Sequence, residues 1–331
     1  MRRIQLLASA LLIALLFTSS AFASRVKEGV AAEVKMSGGS GPTGTKAVGD
    51  FQILHSDGFK GAHRVAVSVF NVAFPDENTI GAHMRNQNRY LGYSADVTIH
   101  TKLQGVDQAT RQRIADAAYV GFLDELKRAG FEVVSAEELA RLAPEFTTWT
   151  SVPNFSQGRF GTYVAPTGRV VRWLQGDTAK RDISSKSGEL FSPFRALDRP
   201  QAFTRSPYLA YDGKLGIIAV TLVVDYGLYS TSGNTKNIKA GATAGFLPRV
   251  SIQSGTLSDT ATLAEYWGPK SGGFAAIAAL SIPIKSELPF AEVSELPNVT
   301  VKADPVQFEA AALEVVRAAN AKLVGAIAAQ R

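Results

Sequence analysis

The 331-residue chain contains no cysteine. This excludes a disulfide scaffold, a thiolate metal site and a cysteine nucleophile. It also excludes a lipoprotein, because lipid attachment requires a cysteine directly after the cleavage site. The surplus of positive charge is small, with 35 Lys and Arg against 29 Asp and Glu, and the sequence has no run of basic residues. Since nucleic-acid-binding domains usually carry a clustered basic patch, we expect no nucleic-acid partner.

The usual catalytic and cofactor motifs are also lacking. The sequence contains no G-x-S-x-G, no P-loop, no G-x-G-x-x-G after a strand and no H-E-x-x-H. Its four histidines, His55, His63, His83 and His100, are 8, 20 and 17 residues apart, which is not a compact metal-ligand spacing. We therefore expect no enzyme activity, no metal and no cofactor.

One acidic residue stands out against this background. Asp225 follows a strongly apolar strand, the position at which α/β proteins often place a functional acid. The alternative is a solvent-facing acid at the end of a strand, where it blunts the edge of the sheet. The first alternative leads to a hydrolase with a dispersed Asp/His site.

The N-terminus has the features of a secretory signal peptide. Arg2 and Arg3 precede an apolar run over 6–17, and Ala21-Phe22-Ala23 forms an A-x-A exit. About twelve apolar residues are too few to span a bilayer, which needs about 20. We predict that 1–23 is a signal peptide cleaved after Ala23, and that the mature chain is periplasmic without an integral membrane span.

The rest of the chain divides by composition. Residues 24–49 are rich in Gly, Ser, Thr and Lys, which predicts a flexible N-terminal arm. The whole chain is 46% hydrophobic, which is enough for a core, and residues 50–331 are predicted to form a single α/β domain. Within it, 144–207 is an irregular insertion rich in proline and aromatic residues, with a possible hairpin at 165–168.

The first half of the domain predicts a strand–helix–strand unit. The apolar segment 63–74 indicates a strand covered on both faces. The helix over 107–129 has Asp107 as N-cap and Gly130 as its left-handed exit. A strand over 131–134 and a short helix capped by Ser135 follow. We expect the polar stretch 75–93 to be a surface connection that leads to a short strand at 95–100.

The second half predicts an antiparallel meander and a final helix. Strands are expected at 215–226, 238–245, 246–255 and 274–284, and the closing helix has Asp304 as N-cap and Pro305 at its first position. The fold class is thus α/β with a mixed sheet covered by two long helices. Some strands in this half could instead form hairpins that enter a membrane, but the continuous apolar run at 217–220 favours a sheet buried on both faces.

Aromatic and basic residues alternate in the insertion. Aromatic faces stack on sugar rings or on a partner's side chains, and arginine adds planar hydrogen bonding. The alternative is that the rings pack on the domain and hold the insertion in place. The residues predicted to form a partner or glycan surface are Trp149, Phe155, Arg159, Tyr163, Arg172 and Trp173.

The first half resembles the periplasmic α/β domain of the curli secretion channel, the penicillin-binding-protein activators and the Tol-Pal translocation protein N-terminal domain. The strand at 65–70 matches V-A-V-x-x-F, and 130–139 matches G-[FY]-x-V-V-x-x-x-x-L after the helix. The resemblance implies an envelope protein that binds other proteins or assembles with copies of itself, and it implies no catalytic residue. A glycan- or lipid-binding module is the alternative function.

Overall fold

The computed structural model describes residues 46–85, 94–142, 155–158, 161–171, 183–184, 215–232, 249–259, 263–270, 276–280, 284–293 and 298–331. The predicted signal peptide, most of the arm, the strand at 238–245 and much of the insertion lie outside these ranges. The described residues belong to one compact unit, 31–331.

The described strands form two mixed sheets. Their bounds in chain order are β1 Lys46–Val48, β2 Phe51–Leu54, β3 Arg64–Phe74, β4 Glu77–Arg85, β5 Ser94–Gln104, β6 Glu132–Val134, β7 Phe155–Gly158, β8 Gly161–Val164, β9 Ile183–Ser184, β10 Leu215–Ser232, β11 Arg249–Asp259, β12 Leu263–Trp267, β13 Ala276–Leu280, β14 Ile284–Lys285, β15 Ala291–Val293 and β16 Asn298–Ala303. The larger sheet has the order β1-β2-β13-β12-β10-β3-β8-β7, with β11, β14 and β6 attached to it, and the smaller has the order β15-β16-β5-β4-β9.

The centre of the larger sheet is a parallel pair, β3 and β10. Their register runs from Arg64 opposite Leu215 to Ala73 opposite Val223. Every residue of β3 from 65 to 74 is buried, as is β10 from 215 to 227. This confirms the expectation of strands covered on both faces, because only such strands lack a polar side.

Three helices are described, and their ends follow the predicted caps. In α1, Gln108–Arg128, Asp107 accepts a hydrogen bond from the Thr110 N–H at 2.7 Å, and Gly130 has φ 81°. The short α2, Ala136–Leu142, begins where Ser135 accepts from the Glu138 N–H at 3.1 Å. In α3, Pro305–Ala328, Asp304 accepts from the N–H groups of Val306 and Gln307.

The two long helices pack together over the larger core. Their fully buried residues include Ile114, Phe122 and Leu126 of α1, and Phe308, Val315 and Leu323 of α3. Between the helices, the Asn320 amide donates to the Ala118 carbonyl at 2.7 Å. The α/β class with two long helices is therefore confirmed, with the short α2 as a third helix. None of the helices in the described ranges is both long and apolar enough to cross a membrane.

The polar stretch 75–93 was wrongly expected to be a surface connection. Its residues 77–85 form β4, which pairs antiparallel with β5 from Glu77 opposite Lys102 to Arg85 opposite Ser94. Three polar residues open β4, and apolar residues alternate with others only from Ile80 to Arg85, so the segment has the composition of a loop. In the same way, the end of the expected arm forms β1, and its Lys46 lies opposite Ile53 of β2.

Two further expectations need correction. The hairpin lies before 165–168: β7 and β8 meet at Gly158 opposite Gly161, where Gly161 has φ 93°. At 165–168 there is only a turn, closed by the Arg169 N–H donating to the Pro166 carbonyl at 2.9 Å. In the second half, the strand β12 was not expected, and β10 continues to Ser232 instead of ending at 226.

The burial of Phe122 leads to a stability test. Its side chain is completely buried and its ring centroid lies 5.5 Å from that of Phe70 on β3. Phe122→Ala should lower the free energy of unfolding by about 3–5 kcal/mol, because it removes a buried ring and leaves a cavity. The matched control on the same helix is Val120→Ala, since Val120 is 57% exposed and should cost less than about 0.5 kcal/mol. Equal losses for both variants in denaturant unfolding would mean that the buried face of α1 is wrongly assigned.

Candidate functional site

Only two residues of the predicted aromatic and basic surface lie in the described ranges. Phe155 begins β7, whereas Trp149, Arg159, Arg172 and Trp173 lie outside. Tyr163 is completely buried in a small second core with Ala73, Ala165, Val171 and Val223. The assignment of Tyr163 to an exposed surface is therefore wrong, because its pairing with Ala73 of β3 places it inside the sheet core. For the other five residues the surface stays a prediction.

The described histidines have separate surroundings. His63 contacts the Arg331 guanidinium, and His100 Nδ1 lies 3.1 Å from the Thr79 hydroxyl. His55 has a left-handed backbone with φ 52°, and burial lowers the pKa of its imidazole. His83 lies on β4 opposite Asp96. Within the described ranges, no group of three or more His, Asp or Glu side chains could hold a metal ion.

Asp225 lies inside β10 and is completely buried. The expectation of a solvent-facing acid at the end of a strand is wrong, because β10 continues beyond it and pairs with β11. Its Oδ1 accepts hydrogen bonds from the Asn78 side-chain amide at 3.2 Å and from the Gly227 N–H at 3.3 Å. Asp225 thus connects the larger sheet to β4 of the smaller one.

The next residue makes a second connection to the smaller sheet. The Tyr226 hydroxyl donates to the Thr101 carbonyl at 3.0 Å and lies 2.8 Å from the Thr101 hydroxyl. Asn78 and Thr101 are direct partners in the β4–β5 ladder. The side chains of Asn78, Thr101, Asp225 and Tyr226, all buried, therefore form one group, which we call the inter-sheet polar cluster.

A register shift in β10 explains why two consecutive residues reach the same sheet. The pairing of β10 with β11 is irregular between Asp225 and Gly227. In a regular strand, successive side chains point to opposite faces. An irregularity of the β-bulge type changes the direction of the strand locally and re-aims a side chain.

A second polar group fixes the turn before β4. Asp76 accepts from Arg111 of α1 and from the Thr162 hydroxyl of β8, both at 2.5 Å. Its own carbonyl accepts from the Leu103 N–H of β5 at 2.8 Å. Only 11% of the Arg111 side chain is exposed, so this ion pair is largely shielded from solvent. The start of β4 is thereby held to the helix and to both sheets.

Beyond these two polar groups, each sheet extends as a pair of strands. Among the described strands, only β11 pairs with residues 227–232 of β10, and their register continues to Ser232 opposite Arg249. Residues 82–85 of β4 and 94–97 of β5 likewise pair only with each other in the described part. We call these two-stranded segments the β10–β11 ribbon and the β4–β5 ribbon. Six residues of extended strand span about 20 Å.

Both ribbons have an alternating sequence. In the β4–β5 ribbon the pairs Ala82–Val97 and Met84–Ala95 alternate with His83–Asp96 and Arg85–Ser94. In the β10–β11 ribbon the pairs Tyr229–Ile252 and Thr231–Val250 alternate with Leu228–Gln253, Ser230–Ser251 and Ser232–Arg249. The sequences of both ribbons thus have the period of two that is typical of a paired strand.

Comparison with known proteins adds no relative to this description. No family model matches the chain, and neither a curated protein nor a solved structure matches it. The function must therefore be argued from the chain itself.

Two buried tyrosines test the inter-sheet polar cluster. Tyr226→Phe removes a hydroxyl with two contacts and should lower the free energy of unfolding by about 1–3 kcal/mol, because a buried Thr101 hydroxyl loses its partner. Tyr266 is equally buried, but its hydroxyl has no hydrogen-bond partner in the described structure. Burial raises the pKa of this phenol.

The matched control is therefore Tyr266→Phe. It should leave the free energy of unfolding unchanged or raise it by up to about 1 kcal/mol, since it removes an unsatisfied buried hydroxyl. Denaturant unfolding of the two variants in parallel gives the comparison. A greater loss for Tyr266→Phe than for Tyr226→Phe would contradict the assigned hydrogen bonds.

Proposed function

We propose that this protein is an exported, non-enzymatic component of the cell envelope that binds partner proteins or copies of itself through the edges of its two ribbons. The observation that carries this proposal is that β10 and β11 continue past Gly227 as a two-stranded ladder that pairs with no other described strand up to Ser232. A strand edge presents a row of backbone N–H and C=O groups to which another strand can add.

The second ribbon strengthens the argument. An isolated two-stranded hairpin is only marginally stable in water. Here both ribbons continue strands whose other halves are fixed in a sheet, β10 between β3 and β12, and β5 beside β16. Each ribbon is therefore supported at its base while its edges remain available among the described strands. Such an edge favours the addition of a partner's strand.

Two sequence features support the envelope as the location. The segment 1–23 has the order of a signal peptide, with a basic start, an apolar run and an A-x-A exit. The resemblance of the strand–helix–strand unit to periplasmic domains that bind proteins or form oligomers supports the same compartment. The absence of cysteine is compatible with an oxidising environment, because no thiol is present that could be oxidised there.

The alternatives have less support from the described residues. For a hydrolase, Asp225 would have to reach a substrate, but it is buried and hydrogen-bonded within the inter-sheet polar cluster. For a glycan-binding module, Tyr163 would have to be accessible, but it lies in the second core. Both observations favour binding through the strand edges.

Export is tested by the mature N-terminus. If 1–23 is removed as we propose, mass spectrometry of the protein from the periplasmic fraction should find Ser24 as the first residue. Ala23→Arg should block processing and leave the precursor in the membrane or cytosolic fraction, because the exit requires a small residue. Full-length protein starting at Met1 in the cytosol of the unaltered strain would refute export.

Assembly is tested by single cysteines, which are unique labels in a chain without any. Ser230→Cys lies on the β10–β11 ribbon, and Ala117→Cys is the control at an exposed position of α1. With a bifunctional thiol reagent added to intact envelopes, Ser230→Cys should give an adduct of defined mass, either a dimer of the chain or a complex with one partner. Ala117→Cys should give none. Identical behaviour of the two variants would contradict binding through the ribbon.

A further inference from the structure

We propose that the inter-sheet polar cluster is a positioning device that holds the two ribbons at one fixed angle, so that they present their edges as a single rigid body. The cluster of Asn78, Thr101, Asp225 and Tyr226 is not itself a binding surface. Its use in assembly rests on the proposed function, whereas the rigid coupling is a property of the fold.

The cluster lies at the start of the β10–β11 ribbon and on the strands that lead into the β4–β5 ribbon. Asn78 is the second residue of β4, and Thr101 is its direct partner on β5. Asp225 and Tyr226 stand immediately before Gly227, the first residue of the β10–β11 ribbon. A contact at this point acts on the direction of each ribbon, since the strands continue outward from it without a break.

The hydrogen bonds of the cluster favour one orientation of the two ribbons over slightly rotated ones. Apolar surfaces can slide across each other with little change in contact, because the hydrophobic effect has no direction. Hydrogen bonds have narrow limits of distance and angle, and an unsatisfied buried polar group is costly. The four side chains are at most 3% exposed, so water is not at hand to replace a lost partner. A rotation of one ribbon against the other would therefore break the hydrogen bonds from Asn78 to Asp225 and from Tyr226 to Thr101.

The two connections are also independent of each other along the sheet. Asp225 binds β4 through Asn78, and Tyr226 binds β5 through Thr101. A single contact would permit rotation about itself, whereas two contacts on two paired strands remove that freedom. The separate Asp76–Arg111–Thr162 group fixes the start of β4 to α1 and β8, but it does not involve β10 or β11. β11 also contacts β4 and β5 directly, and to these contacts the cluster adds the directional hydrogen bonds that fix the orientation.

The experiment measures the angle through a distance between the ribbons. Ser94→Cys on the β4–β5 ribbon and Ser230→Cys on the β10–β11 ribbon place two spin labels on the otherwise cysteine-free mature chain. Pulsed electron paramagnetic resonance then gives the distribution of distances between the two labels. The unaltered cluster should give one narrow distribution. Two cluster variants are compared with it: the double variant Thr101→Val with Tyr226→Phe, and the single variant Asp225→Ala. Each should broaden the distance distribution by about twofold, because the ribbons can then rotate against each other.

Two controls separate this effect from general loss of structure. Tyr266→Phe removes a buried hydroxyl outside the cluster and should leave the distribution narrow. Labels at Ala117→Cys and Ala321→Cys, both exposed positions on the two long helices, should keep a narrow distribution in every cluster variant. If Asp225→Ala fails to fold, the near-isosteric pair Thr101→Val and Tyr226→Phe carries the test.

The outcomes distinguish this inference from the proposed function. A distribution between the ribbons that stays narrow in the folded cluster variants overturns the positioning role, even where thiol cross-linking shows assembly. A distribution that broadens in these variants supports the positioning role, even where the unaltered chain forms no adduct through Ser230→Cys. In the assembling protein, the cluster variants should in addition lose the cross-linked adduct, while Tyr266→Phe should keep it.

Discussion

The whole arrangement depends on the parallel pairing of β3 with β10, two strands buried on both faces. In such a pair each backbone group needs a partner, because water does not reach it. The register shifts between Ile218 and Ala219, so the ladder is interrupted beside Ser68. Side chains supply hydrogen bonds to the backbone carbonyl groups at this point. The Ser68 hydroxyl donates to the Ile218 carbonyl at 3.1 Å, and Arg169 donates to the Val67 carbonyl at 2.9 Å. The Arg169 guanidinium also lies 4.7 Å from the centre of the Tyr119 ring, so this arginine connects α1 to β3.

The same pairing explains why β10 can take part in two structures. Over 217–221 it lies between β3 and β12 in the core, and from Gly227 it forms a ribbon with β11. One strand thus belongs both to the core that helices α1 and α3 cover and to the ribbon, and α3 also contacts β11 itself. At the C-terminal end of α1, the Arg331 guanidinium donates to the Gly130 carbonyl at 3.2 Å and stacks on Phe131. These contacts connect the residues that follow α3 to those that follow α1.

Local features of the sequence could be predicted, and long-range ones could not. The ends of α1 and α3 follow from Asp107, Gly130 and Asp304, because a cap acts within one turn of its own helix. The strand β4 was missed because its polar residues have the composition of a loop, and only its pairing with β5 makes it a strand. The alternation of aromatic and basic residues around Tyr163 predicts a surface, whereas its burial is decided by pairing with β3.

Asp225 is the most informative of these cases. The sequence singles it out, since an acid inside an apolar strand must find a partner or remain in water. Its partner Asn78 is 147 residues away, and the register shift that exposes both Asp225 and Tyr226 to the smaller sheet has no mark in the local pattern except Gly227. A buried carboxyl group adds little net stability compared with an apolar side chain of the same volume. What it adds is a requirement for donors at defined distances and angles, which the Asn78 amide and the Gly227 N–H meet here and an apolar contact of the same size would not impose.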